Sequence, residues 1–455
     1  MAHPLLFNYE WSIDLHGEGC QSGKARIIDS AYAEIPNEEE THMKLLKKLL
    51  IPVVVLAMTV TTFGVAQAST ATVKIGNIIP LSGPSASVGI QGKQAREMAL
   101  EEINSSGGIK SLGGAKLELL FADSKSDPTT GVTEAERMIN TEKVHLLTGC
   151  WNSAVTYPTT QVAERYGVPF IVPVSVRDTI TERGFKNVFR IAAKDGWWAK
   201  DQFEFLKDMQ DEFGVDVKKV AFVYENGDWG VGFAEKWKVL AKEAGYEVVL
   251  DEPYPSTASD LTPVVIKLKR AKPDVVFMTS NAADAILLTN TMAEMRVNVK
   301  AIISSGGGHA DPSFLAAAGN NAEYLFDIVE WETDLNRPGL KETNDKYKKL
   351  YGHNMNGESV DAYAAMYVIK EALEQAGSTD PAALRKTLSE IQVCGGKAGL
   401  LAYDCVDFDE TGQNKNASLV IVQTRTNGKE MDRITVWPKN VRRAGYTPVF
   451  PQPAK

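Results

Sequence analysis

Apolar runs and amphipathic segments alternate along most of the chain. Residues 73–79 (VKIGNII) form an apolar run that predicts a strand. In residues 91–103, apolar side chains recur at helical spacing, namely Ala95, Met98, Ala99 and Ile103. A polar loop rich in serine and glycine joins the two. Strands that alternate with helices in this way favour parallel α/β sheets.

The alternation occurs twice. Strands of the first round are predicted at 73–79, 117–122, 144–148 and 169–172. After a tryptophan-rich stretch, those of the second round are predicted at 219–224, 247–250, 275–279 and 301–304. Helical segments at 340–351, 360–375 and 381–391 precede strand-like segments at 400–408, 419–424 and 433–437. We therefore expect two doubly wound α/β lobes around a ligand cleft at their strand ends.

The amino-terminal segment predicts export. From Met43, three lysines precede the apolar run 49–65, and a small-x-small triplet ends at Ala68. This pattern is typical of a secretory signal at 43–68 that is cleaved after Ala68. The alternative is a membrane anchor, but threonine hydroxyls interrupt the run. Residues 1–42 form an unexplained upstream extension, either an unused start or a disordered tail.

Charge and cysteine content narrow the function further. The net charge of −9 argues against a nucleic-acid partner. Three cysteines follow the signal, and an exported protein permits one disulfide among them. Cys394 and Cys405 are the first choice because they flank a glycine-rich turn, which leaves Cys150 as a buried thiol. The sequence alone leaves the pairing open.

Motifs for catalysis, metals or cofactors are missing from the sequence after residue 68. Its histidines, His145, His309 and His353, are far apart. The sequence contains no HExxH, paired CxxC, GxSxG or Walker motif. The loop SGPSASVGIQG lacks both GKS/T and the GxGxxG spacing. We expect a binding protein rather than an enzyme, with no cofactor and no metal.

An ordered set of short motifs identifies a family resemblance. The motifs of the first half are Ser82-Gly83-Pro84, Gly107-Gly108-Ile109, Asp127-Pro128, Gly149 with Ser153, and Phe189-Arg190. Those of the second half are Pro273-Asp274, Ala362-Tyr363, and Phe408-Asp409 with Gly412. In this order they resemble the periplasmic solute-binding proteins of the branched-chain amino acid (Leu/Ile/Val-binding) class, which serve ABC importers. The resemblance extends over nearly all of the chain after residue 68.

The resemblance implies a type I periplasmic binding protein fold with three crossovers. Lobe I is expected at 69–194 plus 330–408, and lobe II at 195–329 plus 409–455. The implied function is capture of a small-molecule ligand between the closing lobes and delivery to the importer's membrane subunits. The ligand would be a branched-chain or other hydrophobic amino acid, or a related small acid or amide. The alternative is a ligand-sensing receptor for amides or aromatic acids.

The resemblance also implies ligand contacts at the start of the helix after the third strand. Ser153 would supply a hydroxyl and helix N-terminal N–H groups to a ligand carboxylate. Its alternative role is that of a plain N-cap. Trp151 and Asn152 precede it, and Trp229 is expected to cover the ligand from lobe II. Trp151 can also be a core residue.

Further contacts are implied beyond the fourth strand and in two loops. Val174, Ser175 and Val176 follow a proline where the family offers a carbonyl and a hydroxyl, and Val176 replaces the usual threonine. Ser82 lies in the first loop, and Gly306 lies in the second lobe. Trp197 and Trp198 are near the lobe crossover, where they could line the mouth of the cleft or stabilise the hinge, and the structural role is favoured.

Recognition of an ammonium needs a carboxylate, because a buried unpaired cation is costly. The family position for this carboxylate falls in residues 304–308 (SSGGG), which contain no acid. His309, Asp311 or Asp284 would compensate. Otherwise the ligand lacks an ammonium and is an organic acid, an aromatic acid or an amide.

Overall fold

The computed structural model describes residues 72–426, 428 and 431–454. The predicted signal peptide, its cleavage after Ala68 and the extension at 1–42 lie outside the described residues. None of the helices within the described part of the chain is long and apolar enough to span a bilayer.

The first sheet contains five parallel strands in the order β2-β1-β3-β4-β5. They are β1 (Thr72–Ile79), β2 (Lys116–Asp123), β3 (Leu146–Gly149), β4 (Phe170–Val172) and β5 (Val188–Arg190). Three helices connect them, α1 (Ala86–Ser105), α2 (Pro128–Arg137) and α3 (Ser153–Tyr166). Apolar clusters cover both faces of the sheet, which explains the continuous apolar runs of its strands.

The second sheet contains seven strands in the order β14-β13-β10-β9-β8-β6-β7. Its parallel strands are β6 (Lys219–Glu225), β7 (Glu247–Tyr254), β8 (Val275–Thr279), β9 (Ala301–Ser304) and β10 (Phe326–Val329). Two antiparallel strands, β13 (Val420–Thr426) and β14 (Met431–Trp437), complete one edge. The helices of this half are α4 (Asp195–Phe213), α5 (Asp228–Glu243), α6 (Thr262–Ala271), α7 (Ala282–Glu294) and α8 (Pro312–Ala318).

Three late helices pack on the first sheet rather than on the second. They are α9 (Leu340–Tyr351), α10 (Gly357–Ala376) and α11 (Pro381–Glu390), and α10 packs against α1 in one apolar core. The chain therefore passes between the sheets three times, after β5, after β10 and before β13. We call the part around the first sheet lobe I and the part around the second sheet lobe II. The exact lobe boundaries predicted from the sequence stay a prediction, because they depend on which residues move together.

Several elements differ from the sequence prediction, which did not include strands β5 and β10 or helix α4. The segment predicted as a strand at 400–408 consists mostly of turns, and only β12 (Cys405–Asp407) pairs, with β11 (Gln392–Cys394). The helix predicted at 360–375 begins at Gly357, because Asn356 and Ser359 form a reciprocal capping box.

The cysteines are arranged as the first-choice prediction has them. A disulfide joins Cys394 to Cys405 and thereby ties β11 to β12. Cys150 is a buried free thiol. Both predictions are confirmed.

Candidate functional site

A cavity of ≈ 160 Å³ lies between the lobes. An engineered apolar cavity of roughly 150 Å³ holds one benzene molecule, so this space suits a small organic solute. The residues that line it follow the carboxyl ends of strands in both sheets, where open α/β sheets place their ligands. Most of the predicted ligand contacts meet here, namely Trp151, Asn152, Ser153, Val174, Val176 and Trp229.

Three predicted contacts lie outside the cavity wall. Ser82 is exposed, and its hydroxyl donates to Asp123 Oδ2 at 2.6 Å. Ser175 is buried, and its hydroxyl donates to the Trp151 carbonyl at 2.8 Å, so it supports the wall from behind. Gly306 has a φ of +66°, and a Cβ there would lie 3.2 Å from a ring carbon of Trp198. Its role is therefore to let that indole approach.

The polar wall of lobe I is built on the start of α3. The Asn152 Nδ2 donates to Ser85 Oγ at 2.8 Å, and Ser85 Oγ donates to Asn281 Oδ1 of lobe II at 3.5 Å. The first N–H groups of a helix have no partner within the helix, and they lie at the positive end of its dipole. Ser153 and Ala154 present this end to the cavity. This wall suits an anionic group such as a carboxylate.

The apolar wall is formed by indoles from both lobes. The rings of Trp151 and Trp229 lie with their centroids 6.2 Å apart across the cavity. Trp229 and Trp198 both pack edge-on against Phe233, at 6.3 and 6.2 Å. Trp198 also lines the cavity, so the favoured structural role does not describe this indole completely. Trp197 packs against the core of lobe II, as expected.

Two buried carboxyl groups also line the cavity. Glu330 follows β10 directly, and Glu358 lies in the first turn of α10; they are 2% and 6% exposed. Glu358 Oε1 accepts the Gly307 N–H at 3.1 Å. Glu358 Oε2 and Glu330 Oε1 have no hydrogen-bond partner. Burial, together with repulsion from Asp361 and Glu358, raises the pKa of Glu330, and burial raises the pKa of Glu358 to about 7.

A third carboxyl at the cavity already has partners. Glu225, at the end of β6, accepts the N–H groups of Gly227 and Gly230, each at 2.7 Å, and thereby caps α5. Burial raises its pKa. Among the described residues, no lysine, arginine or histidine lines the cavity. The described part of the chain also contains no cluster of His, Cys, Asp or Glu that could hold a metal ion.

The three side chains expected to compensate for the missing family carboxylate have other roles. His309 is fully buried against Phe314, and burial lowers its pKa to about 4. Asp311 caps α8 by accepting the Ser313 N–H at 2.8 Å. Asp284 accepts the Tyr254 hydroxyl at 2.7 Å. None of the three lines the cavity, so the carboxyl groups that do so come from segments that the sequence prediction did not select.

Direct contacts hold the two lobes together around the cavity. Arg177 of lobe I pairs with Glu235 of α5 at 2.9 Å. On the neighbouring residues, Lys236 Nζ lies 3.0 Å from Asp178 Oδ2 of lobe I. At the far side, Gln91 Nε2 donates to Asp311 Oδ2 at 3.2 Å. The structure is therefore in a conformation with the cleft closed.

Comparisons with known proteins agree with this architecture. Residues 72–429 match a protein family described as periplasmic binding protein. The Leu/Ile/Val-binding protein homolog 7 of Brucella suis biovar 1 is 34% identical over 383 residues, which is 82% of this chain and 93% of that protein.

Solved structures share the fold. The substrate-binding protein LivJ of a branched-chain amino acid transporter from Streptococcus pneumoniae, in complex with isoleucine, has a TM-score of 0.68 at 20% identity. That match covers 80% of this chain and 100% of the other. A solute-binding protein of an ABC transporter from Rhodopseudomonas palustris, in complex with 3,4-dihydroxybenzoic acid, has a TM-score of 0.70 at 21% identity, with 80% and 96% covered. The predicted type I fold is confirmed.

Proposed function

This chain belongs to the periplasmic binding protein family, and from that membership we propose that it is the extracytoplasmic solute-binding component of an ABC importer. It is a solute-binding protein and not an enzyme. We further propose that its solute is a small hydrophobic amino acid, with the branched-chain amino acids as the first candidates. The observation that carries this proposal is the pair of partly unpartnered carboxyl groups, Glu330 and Glu358, which line the same cavity as the start of α3.

The cavity walls match the three parts of such a solute. The solute carboxylate would accept the N–H groups at the start of α3 and the hydroxyl of Ser153. The ammonium would donate to the free oxygens of Glu330 and Glu358, which have no other partner. The aliphatic side chain would lie against Trp151 and the other apolar side chains of the wall. The distribution of charge in the cavity thus favours a zwitterion over a simple acid.

The relatives support the same solute class. The name of the Brucella suis relative refers to leucine, isoleucine and valine, and the Streptococcus pneumoniae protein was solved with isoleucine. The Rhodopseudomonas palustris protein, with 3,4-dihydroxybenzoic acid, represents the alternative class of aromatic acids. Such an acid carries no cation for the carboxyl pair, so the pair favours the amino acid.

A set of matched analogues tests the solute class. Leucine, 3-methylbutylamine (without the carboxylate), 4-methylpentanoate (without the ammonium) and 3,4-dihydroxybenzoate are titrated into the purified protein by calorimetry. We expect leucine to bind tightest and 4-methylpentanoate to lose most of the affinity, because without the ammonium the buried carboxyl groups have no cation to pair with. Glu358→Gln is expected to weaken the binding of leucine more than the binding of 4-methylpentanoate. Tighter binding of either acid than of leucine would contradict the proposal.

The importer role needs a separate experiment in the producing cell. Deletion of the gene is expected to abolish high-affinity uptake of the solute identified by calorimetry, and a copy encoding Glu358→Gln should not restore it. Mass spectrometry of the protein from a periplasmic extract checks the export prediction, which gives Ser69 as the first residue. Normal uptake in the deletion strain would instead favour a sensing role.

A further inference from the structure

The indole of Trp198 is a fixed part of the cavity wall. It lies in the first turn of α4, is 4% exposed and lines the solute cavity. Its Nε1 donates to the Ala193 carbonyl at 3.2 Å, so the polar edge of the ring already has its partner within the protein. The ring also packs at 85° against Phe233, with the two centroids 6.2 Å apart. These contacts fix both the position and the orientation of the indole.

The main chain at Gly306 prevents the indole from moving back. Gly306 has a φ of +66°, a conformation that favours glycine. A Cβ at this position would lie 3.2 Å from Cζ3 and 3.3 Å from Cη2 of Trp198, so the gap is too narrow for a methyl group. Because protein interiors are packed this closely, a solute that needs more room cannot displace the ring on this side.

Two further indoles line the cavity, Trp151 and Trp229, and they are held less completely. Both are partly exposed, and Nε1 of Trp151 has no hydrogen-bond partner. They meet each other from opposite lobes, so their mutual contact depends on closure. The contacts of Trp198 with Phe233 and Gly306 lie within lobe II and do not depend on closure. Trp198 is therefore the boundary that a solute meets in the same place each time.

Trp198 lies in the part of the wall that suits the solute side chain. It belongs with Val176 to the apolar core of lobe II, and Trp229 packs against the same core. All three residues line the cavity, and an apolar side chain gains most free energy by burial against such a surface. The cavity volume of ≈ 160 Å³ leaves little spare room. Phenylalanine has more heavy atoms than leucine, and only a retreat of the wall could supply the additional volume.

We propose that Trp198 sets the upper size limit of the solute side chain, so that branched aliphatic amino acids are accepted and phenylalanine and tryptophan are rejected. This inference rests on the proposed function, because it takes the solute to be a hydrophobic amino acid. Closure would press a larger ring against an indole that has no space behind it, and overfilling a packed site is costly. Trp198 is thus a specificity-determining residue that contacts the solute.

Calorimetry with matched variants tests the size limit. Leucine and phenylalanine are titrated into the unaltered protein, Trp198→Phe and Trp197→Phe. We expect the unaltered protein to bind leucine tighter than phenylalanine by a factor on the order of 100. Trp198→Phe should lower this ratio roughly tenfold, mainly through tighter binding of phenylalanine, because the smaller ring frees volume. Trp197→Phe should keep the ratio, since Trp197 is on the same helix but packs against the core of lobe II outside the cavity.

The outcomes separate this inference from the proposed function. If leucine binds but phenylalanine binds as tightly, or if the ratio is the same in Trp198→Phe, the size limit is refuted and the solute class stands. If no hydrophobic amino acid binds the unaltered protein, the solute class is refuted and the size limit with it.

A crystal structure of the unaltered protein with leucine gives a measurement that does not depend on a variant that folds. We expect carbon atoms of the leucine side chain within about 4 Å of the Trp198 ring. A leucine side chain that points away from Trp198 would overturn the proposal, whatever the affinities are.

Discussion

The buried carboxyl of Glu358 makes solute affinity depend on pH. Burial raises its pKa to about 7, so below that pH the group is mostly protonated in the empty cavity. An ammonium prefers the ionised carboxylate, and a solute that binds at low pH must first displace the proton. At pH 5 about 1% of the group is ionised, so we expect leucine to bind about 100-fold more weakly than at pH 8. This corresponds to about 2.7 kcal/mol.

Calorimetry in buffers of different ionisation enthalpy measures both the affinity and the proton released on binding. We expect release to approach one proton per solute below pH 7 and to fall above it. Burial and repulsion from Asp361 and Glu358 raise the pKa of Glu330 as well, and the proton followed here is that of Glu358. In Glu358→Gln the amide oxygen can still accept the Gly307 N–H, which keeps the local structure while removing the titration. An affinity that is the same at pH 5 and pH 8 would refute this reasoning.

Three further predictions concern stability and closure. Because folding raises the pKa of Glu358 from 4.5 to about 7, the empty protein loses about 3 kcal/mol from this group as pH rises through that window. Glu358→Gln should remove that loss in urea titrations at several pH values. Trp229→Ala is expected to weaken leucine binding by about 2 kcal/mol in calorimetry without lowering the melting temperature of the empty protein, whereas an unchanged affinity would remove Trp229 from the site. Arg177→Ala removes the contact with Glu235. We expect it to weaken leucine binding about 2- to 5-fold and to shift the empty protein towards an open conformation in small-angle scattering. Arg165→Ala, at an exposed residue of α3, should change neither.

The architecture and much of the candidate site could be predicted from the chain. Periodicity located most of the parallel strands but missed β5 and β10. The segment around Ser153 could be placed because it directly follows a strand. The Cys394–Cys405 pair could also be anticipated, because the two cysteines are close in sequence. These features depend on residues that are close in sequence, where pattern and spacing carry the information.

The acidic wall could not be predicted in this way, because it joins distant segments. The family position for an acid held only serine and glycine, and the neighbouring acids were chosen by proximity in sequence. Glu358 was missed because the predicted helix began at residue 360, while the capping box starts it at Gly357. A usable signal for Glu330 existed: an acid directly follows the apolar strand FDIV, at the end where ligands bind.

The three passages of the chain between the lobes restrict how the cleft can open. A single connecting segment would let one lobe swivel and twist relative to the other. Three connections, after β5, after β10 and before β13, restrict the relative motion of the lobes to rotation about one main axis. Trp151 and Trp229 would therefore return to the same opposed positions at every cycle. The accuracy of solute selection would then be set by the hinge as much as by the residues that touch the solute.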